Sequence, residues 1–306
     1  MKKVLLLYSG DNEIKNKEHR KNYELLYKMG TEKGIKFYRG NIKNYYKDKF
    51  KIVDTFTNGK WIKEYNIKAD IVVDKCICEG DKEKKNDISK NSLIINNRYF
   101  SSLFGSKFLT YAVLSEYMSK TFIAFNEKDI IENAESIKSD KVVIKPDSGF
   151  QGRGVFIVNK KEIKKILKEV VEYPVVVQEF IDSRGGLRGI AKGVHDFRII
   201  FINHNPVLAY VREPIGKSLI ANVSFGGKRT IVDLDKIPKK IEKKYKLALN
   251  KLKIFKDVIY SIDFIFNEKQ DPFIVEINSA PSFHLEDKQC LQNYYTKIIK
   301  FLISIK

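Results

Sequence analysis

One stretch limits the fold of this chain more than any other. It reads Val142-Val143-Ile144-Lys145-Pro146-Asp147-Ser148-Gly149-Phe150-Gln151-Gly152-Arg153-Gly154-Val155. Two β-branched apolar runs flank a loop with three glycines, so the spacing predicts strand, loop, strand. Glycine takes up positive φ and lets a backbone approach closely, and a loop of this kind can aim several N–H groups at phosphate oxygens. Lys145 leaves the first strand beside the loop, and its ammonium can reach the same phosphates. A P-loop is excluded, because it needs a helix after the loop and Gly-Lys-Ser/Thr at its end. Gly216-Lys217-Ser218 supplies that tripeptide, but Val211 stands where the first glycine belongs. The dinucleotide fingerprint Gly-x-Gly-x-x-Gly is also absent. An ordinary glycine-rich hairpin with an exposed lysine explains the segment as well as a phosphate site does.

A second constraint comes from acids inside apolar strands. Ser261-Ile262-Asp263-Phe264-Ile265-Phe266 and Phe273-Ile274-Val275-Glu276-Ile277-Asn278 read as a hairpin around residues 267–272. Burying a carboxylate without a partner is costly, and if the strands pair, Asp263 and Glu276 can converge at one site. Asn278 lies two residues after Glu276 and therefore on the same strand face. Two carboxylates and an amide oxygen form a hard-oxygen set suited to Mg²⁺ carrying nucleotide phosphates. Pairing of each acid with a separate lysine is the simpler alternative, and three oxygen ligands on one hairpin argue against it.

A third pattern is basic. Asp196 and Arg198 share a face of one strand, and Arg212 ends its partner across the turn Asn203-His204-Asn205-Pro206. Arginine forks there can hold phosphate oxygens. Whether Arg212 shares their face depends on a one-residue choice of register. An edge salt-bridge cluster is the competing explanation.

The remaining pattern is α/β. Val4–Tyr8, 70–73 and 93–95 read as buried strands, with a polar helical stretch up to Gly34 and a charged, turn-rich stretch over 79–90. Helices are expected over 106–119 with Ser106 as N-cap, over 127–137 and over 162–171. Further helices carry Ile241, Tyr245, Ala248, Leu249 and Leu252, and Leu291 to Ile305. Strands are expected over 155–158 and 175–181. The 57 Lys and Arg exceed the 38 Asp and Glu, a net charge of +19, but only nine of the basic residues are Arg. Nucleic-acid readers concentrate arginine and aromatics at a groove. Scattered lysines therefore read as a solvated surface, and no specific nucleic-acid partner is expected. The three cysteines, Cys76, Cys78 and Cys290, exclude a disulfide framework and match no zinc spacing. The apolar run at the amino terminus stops at Ser9, too short for a signal peptide. No stretch is long enough to span a membrane, so a soluble cytoplasmic protein is expected.

Together these residues resemble the ATP-grasp superfamily, and within it RimK-type glutamate ligases and related carboxylate–amine ligases. The likeness runs from about Ser106 to Phe283. It rests on Val143-Ile144-Lys145, Gln151 to Val155, Gln178-Glu179-Phe180-Ile181, Asp196-Phe197-Arg198, Arg212, Asn222 ahead of Gly226-Gly227, and Asp263, Glu276 and Asn278. The resemblance implies an ATP-grasp fold of mixed α/β (α+β) class. Its parts would be a pre-grasp domain over 1–104, a central lid subdomain with the glycine loop over 105–182, and a C-terminal subdomain with the Mg²⁺ site over 183–306. Lys107, Lys145, Gly152 and Gly154 would then meet ATP phosphates, Glu179 and Phe180 the adenine, and Asp196 and Asn222 the rest of the nucleotide. Asp263, Glu276 and Asn278 would hold two Mg²⁺ ions, or Mn²⁺ in their place. Arg198 and Arg212 would be the catalytic pair that stabilises the transferred phosphoryl group.

The implied activity is ATP-dependent joining of a carboxylate and an amine through an acyl phosphate, releasing ADP and phosphate. The partners are a small-molecule or peptide acid and an amine, with no membrane and with the oligomeric state, homo-oligomer included, left open. A kinase on the same fold with a hydroxyl acceptor and a non-catalytic ATP-binding scaffold are the alternatives. No Ser, Cys or His nucleophile is called for, and His195 and His284 read as local hydrogen-bonding residues. The sequence departs from the RimK-type pattern at Ile220, where Arg is common, at Ser282, where Gly is usual, and in a longer stretch from Asp182 to His195. These departures do not carry glutamate over as the substrate. The glycines and basic residues of 183–193 predict a mobile loop near the nucleotide or an acidic substrate.

Overall fold

The computed structural model describes every residue except 11–13, 77–80, 150–151, 215, 217–218, 220–226 and 306. The described residues form two compact units. One comprises Met1–Ser101, Lys256–Ile259 and Ala280–Lys306, the other Ser102–Phe255 and Tyr260–Ser279.

The first unit is built on β1 (Lys2–Tyr8), α1 (Lys17–Glu32), β2 (Ile35–Asn41), β3 (Tyr45–Tyr46), β4 (Lys49–Thr57), β5 (Lys60–Ile67), β6 (Ile71–Asp74), α2 (Lys82–Asn91) and β7 (Leu93–Ile95). Its sheet runs β3-β4-β2-β1-β6-β7, with β5 added to β4. β1 pairs in parallel with β2 and β6, which buries Val4 to Leu7 on both faces and accounts for the unbroken apolar run. Two elements go beyond the sequence expectation. The β4–β5 hairpin turns at Asn58-Gly59, both with positive φ (48° and 75°), the requirement of a two-residue hairpin turn. The charged stretch over 79–90 contains α2, which buries only Ile88 and so shows no apolar period. The last helix, Lys288–Ser304, starts on an Asp287 cap and buries Leu291, Tyr294, Tyr295, Ile298 and Leu302. It belongs to this unit, although residues 260–279 shortly before it in sequence belong to the other.

Helix α3 (Arg98–Gly105) crosses the boundary between Ser101 and Ser102. The second unit continues with α4 (Lys107–Leu114), β8 (Thr121–Ala124), α5 (Glu127–Glu135), β9 (Lys141–Pro146), β10 (Phe156–Asn159), α6 (Ile163–Ile166) and β11 (Val175–Glu179). These strands form a sheet in the order β10-β9-β11-β8. The helix expected over 106–119 ends at Leu114 and gives way to a 3₁₀ turn over Ser115–Tyr117. The one expected over 162–171 is a four-residue α6 between two 3₁₀ turns, with Ile163 and Leu167 buried and Ile166 and Val170 packed against the same core. A five-stranded sheet follows, made of β12 (Asp196–Ile202), β13 (Asn205–Glu213), β14 (Lys228–Val232), β15 (Ile259–Phe266) and β16 (Pro272–Asn278), in the order β14-β13-β12-β15-β16. Helix α7 (Lys239–Leu252) buries Ile241, Tyr245, Ala248, Leu249 and Leu252, and Tyr245 meets Phe201 edge to face. Among the described residues no helix is long and apolar enough to cross a membrane.

Candidate active site

Each sheet of the second unit turns one face to an apolar core, and most of the candidate residues lie on the other face. In the four-stranded sheet Val142, Ile144, Val175 and Val177 join the core with Ile130, Ala134, Ile163 and Leu167. Side chains alternate along a strand, so Val143, Lys145, Val176 and Gln178 point the other way. Gln178 lies directly opposite Thr121 on β8. The result is a buried relay. Lys145 Nζ donates to Gln178 Oε1 at 2.9 Å, Gln178 Nε2 to Thr121 Oγ1 at 2.9 Å, and Thr121 Oγ1 to the Ser119 carbonyl at 2.9 Å. Lys145 thus has an amide, not a carboxylate, as its hydrogen-bond acceptor. Burial pushes its amine down to about 8, Lys107 adds to the effect, and Glu276 and Asp263 oppose it.

The glycine loop is tied to the start of α4. Asp147 accepts from the Phe108 N–H at 2.8 Å and from Ser106 Oγ at 3.0 Å, while Ser106 caps the helix as expected. Lys107 Nζ donates to the Asp147 and Gly149 carbonyls, each at 3.2 Å. Gly149, Gly152 and Gly154 all have positive φ, and a Cβ on Gly154 would stand 3.1 Å from the Pro146 ring. Glu179 ends β11 on the side of the strand opposite Gln178, with its N–H bonded to the Lys120 carbonyl at 2.8 Å. Phe180 follows it, with the Lys141 ammonium 5.8 Å from its ring centre. Glu179 stands three rungs from Lys145 in the β9–β11 ladder.

In the five-stranded sheet the register settles the choice left open by the sequence. Asp196 lies opposite Arg212, and Arg198 lies opposite Tyr210, so all four share a face. Across β15 and β16, Asp263 lies opposite Glu276 and Ser261 opposite Asn278, with a bulge following Asp263. Arg212 grips Asp196 with both Nε (2.6 Å) and Nη2 (2.7 Å), and Nη2 also reaches Asp263 at 2.8 Å. Arg198 binds Asp263 in the same forked way, with Nε at 2.6 Å and Nη2 in closer contact. Asn278 Nδ2 donates to Glu276 at 3.0 Å and to Asp263 at 3.3 Å. Each guanidinium commits Nε and Nη2 and leaves Nη1 without a partner among the described residues.

Charge and burial compete across this face. Burial raises the Asp263 carboxyl, but Arg198 and Arg212 outweigh it and hold the group below the usual range. Burial opposes both arginine charges as well, and their acidic partners hold both guanidiniums above the usual value. Asp196 goes the other way. Burial, helped by the Asp263 charge, pushes it up to about 6 in spite of Arg212.

The structure therefore brings together Lys145, Asp196, Arg198, Arg212, Asp263, Glu276 and Asn278 within the second unit. Asn222 lies outside the described residues. Among the described residues no group of three or more His, Cys, Asp and Glu is clustered for a metal. The candidate cation set is two carboxylates and an amide, which has the oxygen chemistry a hard cation requires. Sequence reasoning quoted Gln178 and Ser261 without giving either a role, and missed Thr121. Gln178 stands beside the quoted Glu179, and Ser261 lies two residues before Asp263, so strand parity could have found Ser261.

The stretch from 183 to 195 makes hydrogen bonds within itself and to the β15–β16 turn. Leu187 and Ala191 pair with each other, and Gly186 allows the turn, since a Cβ there would lie 2.3 Å from the Ala191 carbonyl. Gln270 in the β15–β16 turn accepts from the Arg188 N–H at 3.0 Å and donates to the Gly186 carbonyl at 2.9 Å. Arg184 folds back onto Asp182. His195 is buried, bonds the Gly193 carbonyl at 2.7 Å and stacks on Phe266.

A family model of the RimK-like ATP-grasp domain matches residues 106–302, and the chain belongs to that family. The chain is 28% identical over 198 residues to a glutathione synthetase of Prochlorococcus marinus subsp. pastoris, covering 62% of this chain and 59% of the relative. It is 27% identical over 180 residues to a probable alpha-L-glutamate ligase of Psychromonas ingrahamii, covering 58% and 54%. The match spans little more than half the length of these curated relatives. Among solved structures, D-cycloserine synthetase DcsG superposes with a TM-score of 0.68 over 98% of this chain and 99% of that one, at 13% identity. The ATP-grasp ligase PsnB complexed with minimal precursor superposes with a TM-score of 0.63 over 99% of each chain, at 10% identity. At such identities the likeness establishes the ATP-grasp fold and nothing further.

Proposed function

We propose that this protein is an ATP-dependent carboxylate–amine ligase. The observation that carries the reading is the polar face of the second unit. Buried Lys145 has an amide as its hydrogen-bond acceptor, and two arginines are oriented by acids, with Nη1 of each making no hydrogen bond among the described residues. Such a face suits a polyanion whose charge shifts during reaction. Lys145 and Lys107 hold ATP phosphates at the glycine loop, and Glu179 and Phe180 meet the base. Asp196 keeps the Arg212 fork in its plane. Arg198 and Arg212 direct their Nη1 groups at the transferred phosphoryl group. Asp263, Glu276 and Asn278 hold divalent cations, which neutralise phosphate charge when bound.

The γ-phosphoryl group passes to a substrate carboxylate, giving an acyl phosphate and ADP. The amine then attacks the acyl carbon, loses a proton, and expels phosphate to leave an amide. Positioning and charge neutralisation supply most of the catalysis, since phosphoryl transfer needs little covalent help. The relatives' names support an amino acid or a peptide as the acid, with glutathione synthetase and glutamate ligases among them.

The test begins with a screen of amino acids and peptides for ADP release. The productive acid is then labelled with heavy oxygen in its carboxylate. Labelled inorganic phosphate should appear in step with amide, because the acid's own oxygen leaves with the phosphorus. Unlabelled phosphate alongside amide would refute the acyl-phosphate route. A stable phosphorylated product without phosphate release would make the protein a kinase.

A further inference from the structure

Ser261 is fully buried, and its hydroxyl has no hydrogen-bond partner among the described residues. A buried polar atom without a partner is rare and calls for a reason. Ser261 lies on the Asp263 side of β15, directly across from Asn278. Directly opposed residues in an antiparallel pair place their Cβ atoms about 4.5–5.5 Å apart, within reach of a Ser–Asn hydrogen bond.

The Asn278 amide is turned the wrong way for a cation. Its nitrogen faces both carboxylates, and only its oxygen can bind a metal ion. This orientation suits a site without metal, where two acids need donors. For Asn278 to act as a ligand, its side chain must re-orient so that Oδ1 meets the cation, and its nitrogen then moves away from the acids and needs a new acceptor. Ser261 Oγ is a buried, unused acceptor at the paired position. We propose that Ser261 is a positioning residue that accepts from Asn278 Nδ2 and so holds its Oδ1 toward the cation. The inference rests on the reading of Asp263, Glu276 and Asn278 as the cation site.

The test measures Mn²⁺ affinity of the full chain by electron paramagnetic resonance, in the presence of a non-hydrolysable ATP analogue. Ser261→Ala should weaken Mn²⁺ binding about tenfold, as losses of outer-shell partners do. Analogue affinity in chelator should not change, and Tm should stay level or rise because an unsatisfied hydroxyl has gone. In an Asn278→Asp background, where the ligand has two equivalent oxygens, Ser261→Ala should have no effect on Mn²⁺ binding. Such coupling belongs to residues acting as a unit. If Asn278→Ala weakens Mn²⁺ binding and Ser261→Ala does not, the positioning role is refuted while the cation site stands. If the wild-type chain with analogue binds no Mn²⁺, the cation site fails, and the inference with it.

Discussion

Lys145→Met removes one charge and keeps an apolar side chain of similar length. In the folded chain burial lowers this amine from 10.5 to about 8. That is roughly 2.5 pH units, or about 3 kcal/mol against the charged form at ~1.4 kcal/mol per unit. The sign follows from proton linkage. The unfolded lysine titrates near 10.5 and the folded one near 8, so between those values the unfolded chain holds more protons and stability rises with pH. Below about pH 8 both states are charged and the whole penalty is present. Removing the charge relieves it, less about 1 kcal/mol for the lost Gln178 hydrogen bond. At pH 7 the variant should therefore be more stable than wild type by about 2 kcal/mol, and this advantage should fade between pH 8 and 10.5.

Nucleotide binding should move in the opposite direction. A charge-assisted hydrogen bond contributes about 1.5–3 kcal/mol, so ATP affinity should fall roughly 10- to 100-fold. Phosphates would also restore the usual lysine pKa, so wild type at pH 8 should take up roughly half a proton per ATP bound. The variant should take up none. Denaturant titrations from pH 6 to 10 and calorimetry in buffers of different ionisation enthalpy measure these quantities. A variant that is less stable at pH 7, or that binds ATP as tightly as wild type, would show that Lys145 is a structural lysine.

Other perturbations probe the rest of the face. Glu276→Gln keeps the hydrogen bond to Asn278 and removes a charge, so Mn²⁺ affinity should fall about tenfold or more with an unchanged melting curve. Gln270→Ala breaks both links to the 183–193 stretch, and limited proteolysis there should become faster. Asp196 titrates near about 6 when folded, above its ordinary 3.8, so between those values the folded chain holds more protons and this carboxyl contributes less stability as pH rises. Asp196→Asn should remove that dependence from stability curves measured between pH 4 and 6.

The sequence was most legible where a periodicity conflicts with a residue type. Acids at positions 263 and 276 interrupt apolar strands, and only a shared polar face resolves the conflict, as their direct opposition demonstrates. The arginine pair was legible only as a choice, since a slip of one residue would have sent Arg212 to the other face. The ladder between Asp196 and Arg212 is a tertiary outcome. Helix α2 was illegible because one buried residue, Ile88, sets no period. The β4–β5 hairpin did carry a signal, Asn58-Gly59 between alternating residues. For the 183–193 stretch, glycine and arginine gave no sign of Gln270, distant in sequence, which bonds the Arg188 N–H and the Gly186 carbonyl.

Charge balance links the site to its ligands. Lys145, Arg198 and Arg212 face Asp196, Asp263 and Glu276, three cations against three acids, so the polar face neutralises itself while the whole chain carries +19. The surplus therefore lies on the lysine-rich surface and does not define the site. Buried ionic clusters of this kind are tolerated only when each member is paired, and the Asn278 amide supplies the last donor to the acids. On the proposed reading a nucleoside triphosphate would bring roughly four negative charges to a face with no net charge to offer. Two divalent cations would cancel that charge on the same reading, at the carboxylate oxygens that Asn278 Nδ2 meets here. On that reading nucleotide and cation would enter as one neutral unit, and the arginine forks would stay on their acids, since Nη1 of each makes no hydrogen bond among the described residues.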